Sequence, residues 1–452
     1  MERNLTTGSV FKNIVFFSLP YLLSYFLQTL YGMADLFIIG QFDGVASTTA
    51  VSIGSQVMHM LTVMLVGLAM GTTVSIARAV GGRDHKQVSE SVGNTVTLFF
   101  GLSIVLTAVL LLLVRPIVGV MSTPAEAVDG TVAYLTICFL GIPFITAYNI
   151  ISSIFRGMGD SKSPMYFIAI ACAANIMLDY LFIGALGFGP AGAALGTTLA
   201  QTISVAVSLF MILKQKSISL SKGDFHPRRP VVGQILQIGV PVALQDGLIQ
   251  IAFIVITIIA NRRGLNDAAA VGIVEKIIGF VFLVPSSMLS TVSALGAQNI
   301  GAGKPERAVQ TLRYAICITV GFGLCVCIGV QLCAEQLVAL FTDRQAAGGA
   351  EVIRFGGQYL RSYIFDCLFA GIHFSFSGYF CACGNSVLSF LHNISSVLLV
   401  RVPGSYLASM LFPDTLFPMG LASAGGSLLS VMLCILFYLK FCRGKNPAAE
   451  SA

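Results

Sequence analysis

Twelve apolar runs, each long enough to cross a bilayer as a helix, constrain this chain more than any other feature. They fall at 13–38, 47–75, 88–114, 131–154, 163–185, 191–213, 233–259, 269–293, 308–331, 353–379, 386–410 and 420–441. Roughly 20 predominantly apolar residues suffice for one crossing. In lipid every backbone polar group must be bonded within the protein, which leaves helices or a closed barrel. Runs of this length predict helices. The chain is 56% hydrophobic and only 10% charged, whereas soluble domains carry about 25% charged residues. The expected fold class is therefore an all-α membrane protein with twelve transmembrane helices. No cleavable leader is expected, because the first run is full-length and no small-residue cleavage site follows it.

Lys and Arg are enriched on the cytoplasmic side of membrane proteins. With the N-terminus inside, the inner segments hold eighteen of the 26 Lys and Arg residues and the outer segments five, with Lys276, Arg361 and Arg401 inside spans. This asymmetry predicts that both termini are cytoplasmic, as an even number of spans requires. It also explains the net charge of +6 without invoking nucleic acid.

The chain repeats itself. Ala77-Arg-Ala-Val-Gly81-Gly-Arg-Asp matches Ala297-Gln-Asn-Ile-Gly301-Ala-Gly-Lys at an offset of 220 residues. Gly159-Asp160-Ser161 recurs as Gly384-Asn385-Ser386, and Pro20 in span 1 recurs as Pro241 in span 7. Six spans per repeat give both copies the same membrane orientation. Two six-helix lobes related by a pseudo-two-fold axis along the membrane normal are expected. The lobes are placed at 1–213 and 233–442, with a basic linker at 214–232 and a cytoplasmic tail at 443–452. Internal repeats with a proline-interrupted helix in each point to a transporter.

Ionisable residues inside a bilayer cost about 2.5–3.5 kcal/mol each on insertion scales and mark function by default. Asp35 in span 1 and Asp179 in span 5 both fall in the outer third. Asn175 precedes Asp179 by four residues, which puts both on one helical face. Thr197 lies in the outer part of span 6. Tyr134 begins span 4, and Asn149 lies deeper on it. Carboxylates with amide and hydroxyl oxygens suit Na⁺ or, alternatively, one shared proton. The competing reading is a static polar plug that fixes helix packing. Pro20 removes a backbone donor and is expected to bend or break span 1, which makes it a candidate hinge.

The second half carries Asp246, Glu275, Lys276, Arg361, Asp366 and Arg401 within spans. Internal ion pairs are one reading of this set. The other places Asp366 and Glu275, with Asp246, at a cavity that meets a cationic substrate, with Met33 in its adaptable apolar lining.

No phosphate-binding G-x-x-x-x-G-K-[ST] loop is present, and no Ser-His-Asp arrangement or metal motif stands out. No enzyme activity, cofactor or metal beyond a possible Na⁺ is expected, and energy should come from an ion gradient. The eleven cysteines mostly lie within apolar runs and read as small buried hydrophobes. His59, His373 and His392 are scattered and read as packing residues.

These residues resemble the multidrug and toxic compound extrusion (MATE) family, in its DinF- and MepA-like bacterial form, over essentially the whole chain. The resemblance rests on Pro20 with Asp35, on the Gly81-Gly82-Arg83 and Gly301-Ala-Gly-Lys304 turns, and on Phe155-Arg-Gly-Met-Gly-Asp160 with Pro164. It implies alternating-access export of cationic amphipathic compounds in exchange for Na⁺ or H⁺. It implies a cation site in the N-lobe made of Asp35, Asp179, Asn175 and Thr197, with Tyr134 and Asn149 in the same polar network. Pro20 would be the bending proline. NorM-like members instead rely on acids in spans 7 and 10, where this chain has Asp246 and Asp366. The runner-up is a lipid-linked precursor flippase of the same superfamily. A monomer in a bacterial plasma membrane is expected, with small organic cations and the lipid bilayer as its partners.

Overall fold

The computed structural model describes residues 4–215, 220–345 and 348–442. The expected tail at 443–452, and residues 216–219 of the expected linker, lie outside the described residues. Among the described residues, eleven helices are long and apolar enough to cross a membrane, and one bent pair makes a twelfth span. In chain order they are span 1 (Val10–Phe42), span 2 (Val45–Gly81), span 3 (His85–Val120), span 4 (Ala125–Leu140 with Ile142–Gly157), span 5 (Lys162–Ala185) and span 6 (Gly189–Ile212). Span 7 (Arg229–Asn261), span 8 (Leu265–Gly301), span 9 (Pro305–Ala339), span 10 (Gly349–Ala382), span 11 (Ser386–Leu411) and span 12 (Phe417–Phe441) follow. Each lies on an expected run, and most extend several residues past both ends. Large apolar side chains such as Leu112 (82% exposed) and Leu332 (77%) cover the flanks, as lipid-facing surfaces require.

Two local features depart from straight helices. Span 4 bends by 49° at Gly141, where an added Cβ would lie 2.7 Å from the Thr198 side chain. Span 5 ends in a π turn, Tyr180–Ala185, that begins directly after Asp179. Such turns recur at functional sites. A second π turn, Val397–Arg401, interrupts span 11 and ends on Arg401. The break considered possible at Pro20 is absent: span 1 is one continuous helix from Val10 to Phe42. Span 7 likewise runs unbroken through Pro241.

The sequence repeat is also a repeat of turn geometry. After span 2, Gly82, Arg83 and Asp84 donate to the carbonyls of Arg78, Val80 and Ala79; after span 8, Ala302, Gly303 and Lys304 donate to those of Gln298, Ile300 and Asn299. The middle residue of each set differs in kind: Arg83 has φ 56° and Gly303 φ 69°. The left-handed position is natural for glycine and costly for arginine. Gly159 and Gly384, with φ 87° and 82°, close the turns after spans 4 and 10 in the same way.

The chain divides by contact into two units, residues 1–5 with 16–243 and residues 6–15 with 244–452. This differs from the lobes drawn on the sequence. The connection ahead of span 7 is not a free tether, because it is bonded to span 3. Arg228 donates its N–H to Asn94 Oδ1 at 2.6 Å, and the Thr97 hydroxyl donates to the Phe225 carbonyl at 2.7 Å. The start of span 7 then packs on span 2. A Cβ on Gly71 would strike the Ile235 carbonyl and one on Gly239 the Leu68 carbonyl, so the two backbones meet directly. The first unit has one apolar core around Ile39, Leu135 and Phe139 and another around Phe99, Phe155 and Phe167. The second is built around Val271, Tyr359, Leu360 and Ile364.

Candidate cation site in the first unit

Span 1 carries Asp35 inward at 2% exposure, and span 5 carries Asp179 at 0% and Asn175 at 1%. The two acids come from helices separated by more than a hundred residues, and their side chains lie near enough to interact electrostatically. Thr197 on span 6 completes the group. Its hydroxyl donates to Asp35 Oδ2 at 3.0 Å, and the Asn175 amide reaches that hydroxyl at 3.5 Å. Span 6 approaches span 5 closely because residue 196 is glycine: a Cβ there would collide with Asp179 Oδ1.

The cluster has more acceptors than donors. Asp35 Oδ1, both carboxyl oxygens of Asp179 and Asn175 Oδ1 are buried without a hydrogen-bond donor. Buried polar atoms are otherwise almost always satisfied, and two adjacent carboxylates cannot both stay ionised in a dry site without a counter-charge. Four unpaired oxygens around two acids are the donor set that a hard monovalent cation or a shared proton would complete. Among the described residues no group of three or more His, Cys, Asp or Glu could hold a metal ion.

Tyr134 and Asn149 do not touch the acids through a hydrogen bond; they line a cavity of about 40 Å³ whose wall includes Thr197. The bend at Gly141 puts them on the two arms of span 4. Asn149 donates to the Ile145 carbonyl at 2.8 Å. Tyr31 and Gln201 also line this cavity. Sequence reasoning did not single them out. The available signal was spacing: Tyr31 is one helical turn before Asp35, and Gln201 one turn after Thr197. Pro20 is buried on span 1, four residues past the point where that span passes from one contact unit to the other.

The second unit has a different character. Asp366 is 0% exposed and is ion-paired with Arg401, whose guanidinium also lies 5.9 Å from the Phe253 ring centroid. Asp366 is thus committed to an internal pair. Glu275 accepts from the Thr257 hydroxyl at 3.2 Å, and Asp246 follows Gln245, whose Nε2 is buried without an acceptor; both acids are half-buried. Met33 is 42% exposed. His373 and His392, on the consecutive spans 10 and 11, have ring centroids 5.6 Å apart, and Ser377 Oγ lies 2.9 Å from His392 Nε2.

A family model described as MatE matches residues 20–181 and 241–407. The chain is similar to "Probable multidrug resistance protein YpnP" of Bacillus subtilis (strain 168), at 30% identity over 90% of each chain. It is similar to "Multidrug export protein MepA" of Staphylococcus aureus (strain NCTC 8325 / PS 47), at 25% identity over 83% of this chain and 82% of that one. The solved structure described as "Crystal structure of MATE in complex with MaL6" superposes with a TM-score of 0.89, at 24% identity and 96% coverage of both chains, and shares the fold.

Proposed function

Because the chain belongs to the MATE family of membrane multidrug transporters, we propose that it is an ion-coupled antiporter whose switch is the Asp35–Asp179 pair. Its cargo is a cationic amphipathic compound, exported from the cytoplasm in exchange for Na⁺ or H⁺. The observation that carries this reading is the surplus of unpaired oxygens around two neighbouring carboxyls inside a membrane-spanning unit. Such a cluster is poorly stable empty and ionised. It gains most from a small cation or a proton, so its occupancy can be linked to the conformation of the helices that bear it.

Three helices respond together when the pair is filled. Asp35 rides on span 1, Asp179 on span 5 beside its π turn, and Thr197 on span 6. Neutralising the pair removes the repulsion between spans 1 and 5 and releases Thr197 to other partners. Pro20 leaves span 1 one backbone bond short in the turn below, so bending there is cheaper than elsewhere. Alternation of the two units about their shared helices then moves the substrate outward. Cation entry down the membrane potential supplies about 2.3 kcal/mol per charge per 100 mV. Asp246, Glu275 and Met33 are the candidate contacts for a cationic, partly apolar cargo, and Asp366 is held back by Arg401. The protein sits in the cell membrane with both termini cytoplasmic, following the distribution of Lys and Arg.

Efflux of a fluorescent organic cation from proteoliposomes, under separately imposed Na⁺ and pH gradients, tests the reading. One gradient should drive efflux several-fold above the no-gradient rate. Efflux indifferent to both gradients would refute ion coupling.

A further inference from the structure

Polar side chains continue from the acid pair down the inside of the first unit. On span 1, Asp35, Tyr31, Gln28, Ser24 and Tyr21 follow one another at steps of four and three residues, which keeps them on one helical face. Fourteen residues of helix carry this stripe about 21 Å along the span. Two cavities open beside it. The first, about 40 Å³, reaches Thr197 and Gln201; the second, about 10 Å³ and so room for about one water, reaches Arg156. They adjoin, because Gln28, Tyr148 and Asn149 line both. Gln201 is 4% exposed and its Oε1 is buried without a donor, while Nε of Arg156 at the other end is buried without an acceptor. Unsatisfied polar atoms beside such spaces are the setting in which internal water is held.

Arg156 belongs to the Phe155-Arg-Gly-Met-Gly-Asp160 stretch, whose other polar and glycine positions have structural work. A Cβ at Gly157 would lie 2.8 Å from Ile76, so that glycine sets the approach of span 4 to span 2. Gly159 takes the left-handed conformation of the turn. Asp160 caps span 5, accepting from the Ser163 N–H at 3.1 Å and its hydroxyl at 2.6 Å. Arg156 alone turns back into the unit. Its guanidinium sits 4.3 Å from the Tyr21 ring centroid, and among the described residues no carboxylate pairs with it. An unneutralised guanidinium at the end of a narrow polar space is the arrangement by which pores exclude cations.

We propose that this seam is a hydrated passage within the first unit, running from the acid pair to the unit's basic end, and that Arg156 is the fixed charge that closes it to cations. The inference rests on the acid pair being the coupling-ion site. Arg156 is then a positioning and barrier residue that keeps exchange tight, since an open passage would dissipate the gradient without moving cargo.

The test uses the purified full chain in proteoliposomes, without organic substrate, with trapped pH- and Na⁺-sensitive dyes. Wild-type vesicles should leak little more than protein-free ones. Arg156→Gln should raise downhill flux of the coupling ion about ten-fold, and Arg156→Lys should not. Adding Gln28→Leu to Arg156→Gln should return the flux to near the wild-type level, which a leak through misfolded protein would not do. A flux in Arg156→Gln equal to wild type, in a preparation where Asp35→Asn still abolishes ion-driven export, overturns the passage and leaves the acid-pair reading standing. Wild-type export in Asp35→Asn overturns the acid-pair reading instead. Should Arg156→Gln fail to fold, hydroxyl-radical footprinting of the wild-type protein decides. Tyr148 and Tyr359 are both buried, at 4% and 0% exposure. A wet seam predicts oxidation of Tyr148 at least about five-fold faster than Tyr359, and equal protection of the two overturns it.

Discussion

The Thr197 hydroxyl donates to Oδ2 of Asp35 at 3.0 Å, across 162 residues of sequence. This bond ties span 6 to span 1, and it is the point at which the acid cluster meets the cavity lined by Tyr134 and Asn149. A hydrogen bond to a charged group contributes about 1.5–3 kcal/mol. Thr197→Val should therefore raise the ion concentration for half-maximal export roughly ten-fold, at 1.4 kcal/mol per factor of ten. Thr197→Ser should stay near wild type. Export measured against ion concentration separates the two.

Gly196 gives Asp179 its room. Because a Cβ at this position would collide with Asp179 Oδ1, Gly196→Ala should push the carboxyl off Asp35 or splay span 6 from span 5. Ion-driven export should fall at least ten-fold while insertion and expression remain, as read by transport per milligram of monodisperse protein. Full transport would mean that the contact is not needed.

The Asp366–Arg401 pair is buried in the second unit. Removing one partner of a buried pair typically costs about 3–5 kcal/mol, because the other charge is left uncompensated. Arg401→Met should lower the temperature of half-aggregation in detergent clearly more than the double change Arg401→Met with Asp366→Leu. If the single and double variants are equally stable, the pair carries no such weight.

At the repeated turns, Arg83 bears the left-handed conformation that glycine bears at residue 303. Arg83→Gly should stabilise slightly, and Gly303→Ala should destabilise by about 1 kcal/mol. Thermal stability of the two variants, measured side by side, checks the sign of each.

What could be read from the sequence follows from which forces are local. The spans are legible because lipid imposes length and apolarity on each run separately. Asp35 and Asp179 stand out because a carboxylate in such a run is costly, and Asn175 follows from a one-turn spacing. Tyr31 and Gln201 carry no charge to draw notice, although each lies one turn from a residue that did. Pairings between helices are another matter. Nothing in the spacing of Asp366 and Arg401, or of His373 and His392, says that they meet, since that depends on how spans pack. The division of spans 1 and 7 between units is equally hidden, because it arises from backbone contacts such as Gly71 with Ile235.

The central claim is that the Asp35–Asp179 pair binds the ion that drives export. The most direct test is simultaneous measurement of ion entry and cargo exit in proteoliposomes for wild type and Asp35→Asn. Wild type should show the two fluxes rising together under an imposed gradient. Asp35→Asn should lose the gradient-dependent part of both, with intact folding by gel filtration. Undiminished, still-coupled fluxes in Asp35→Asn would contradict the account.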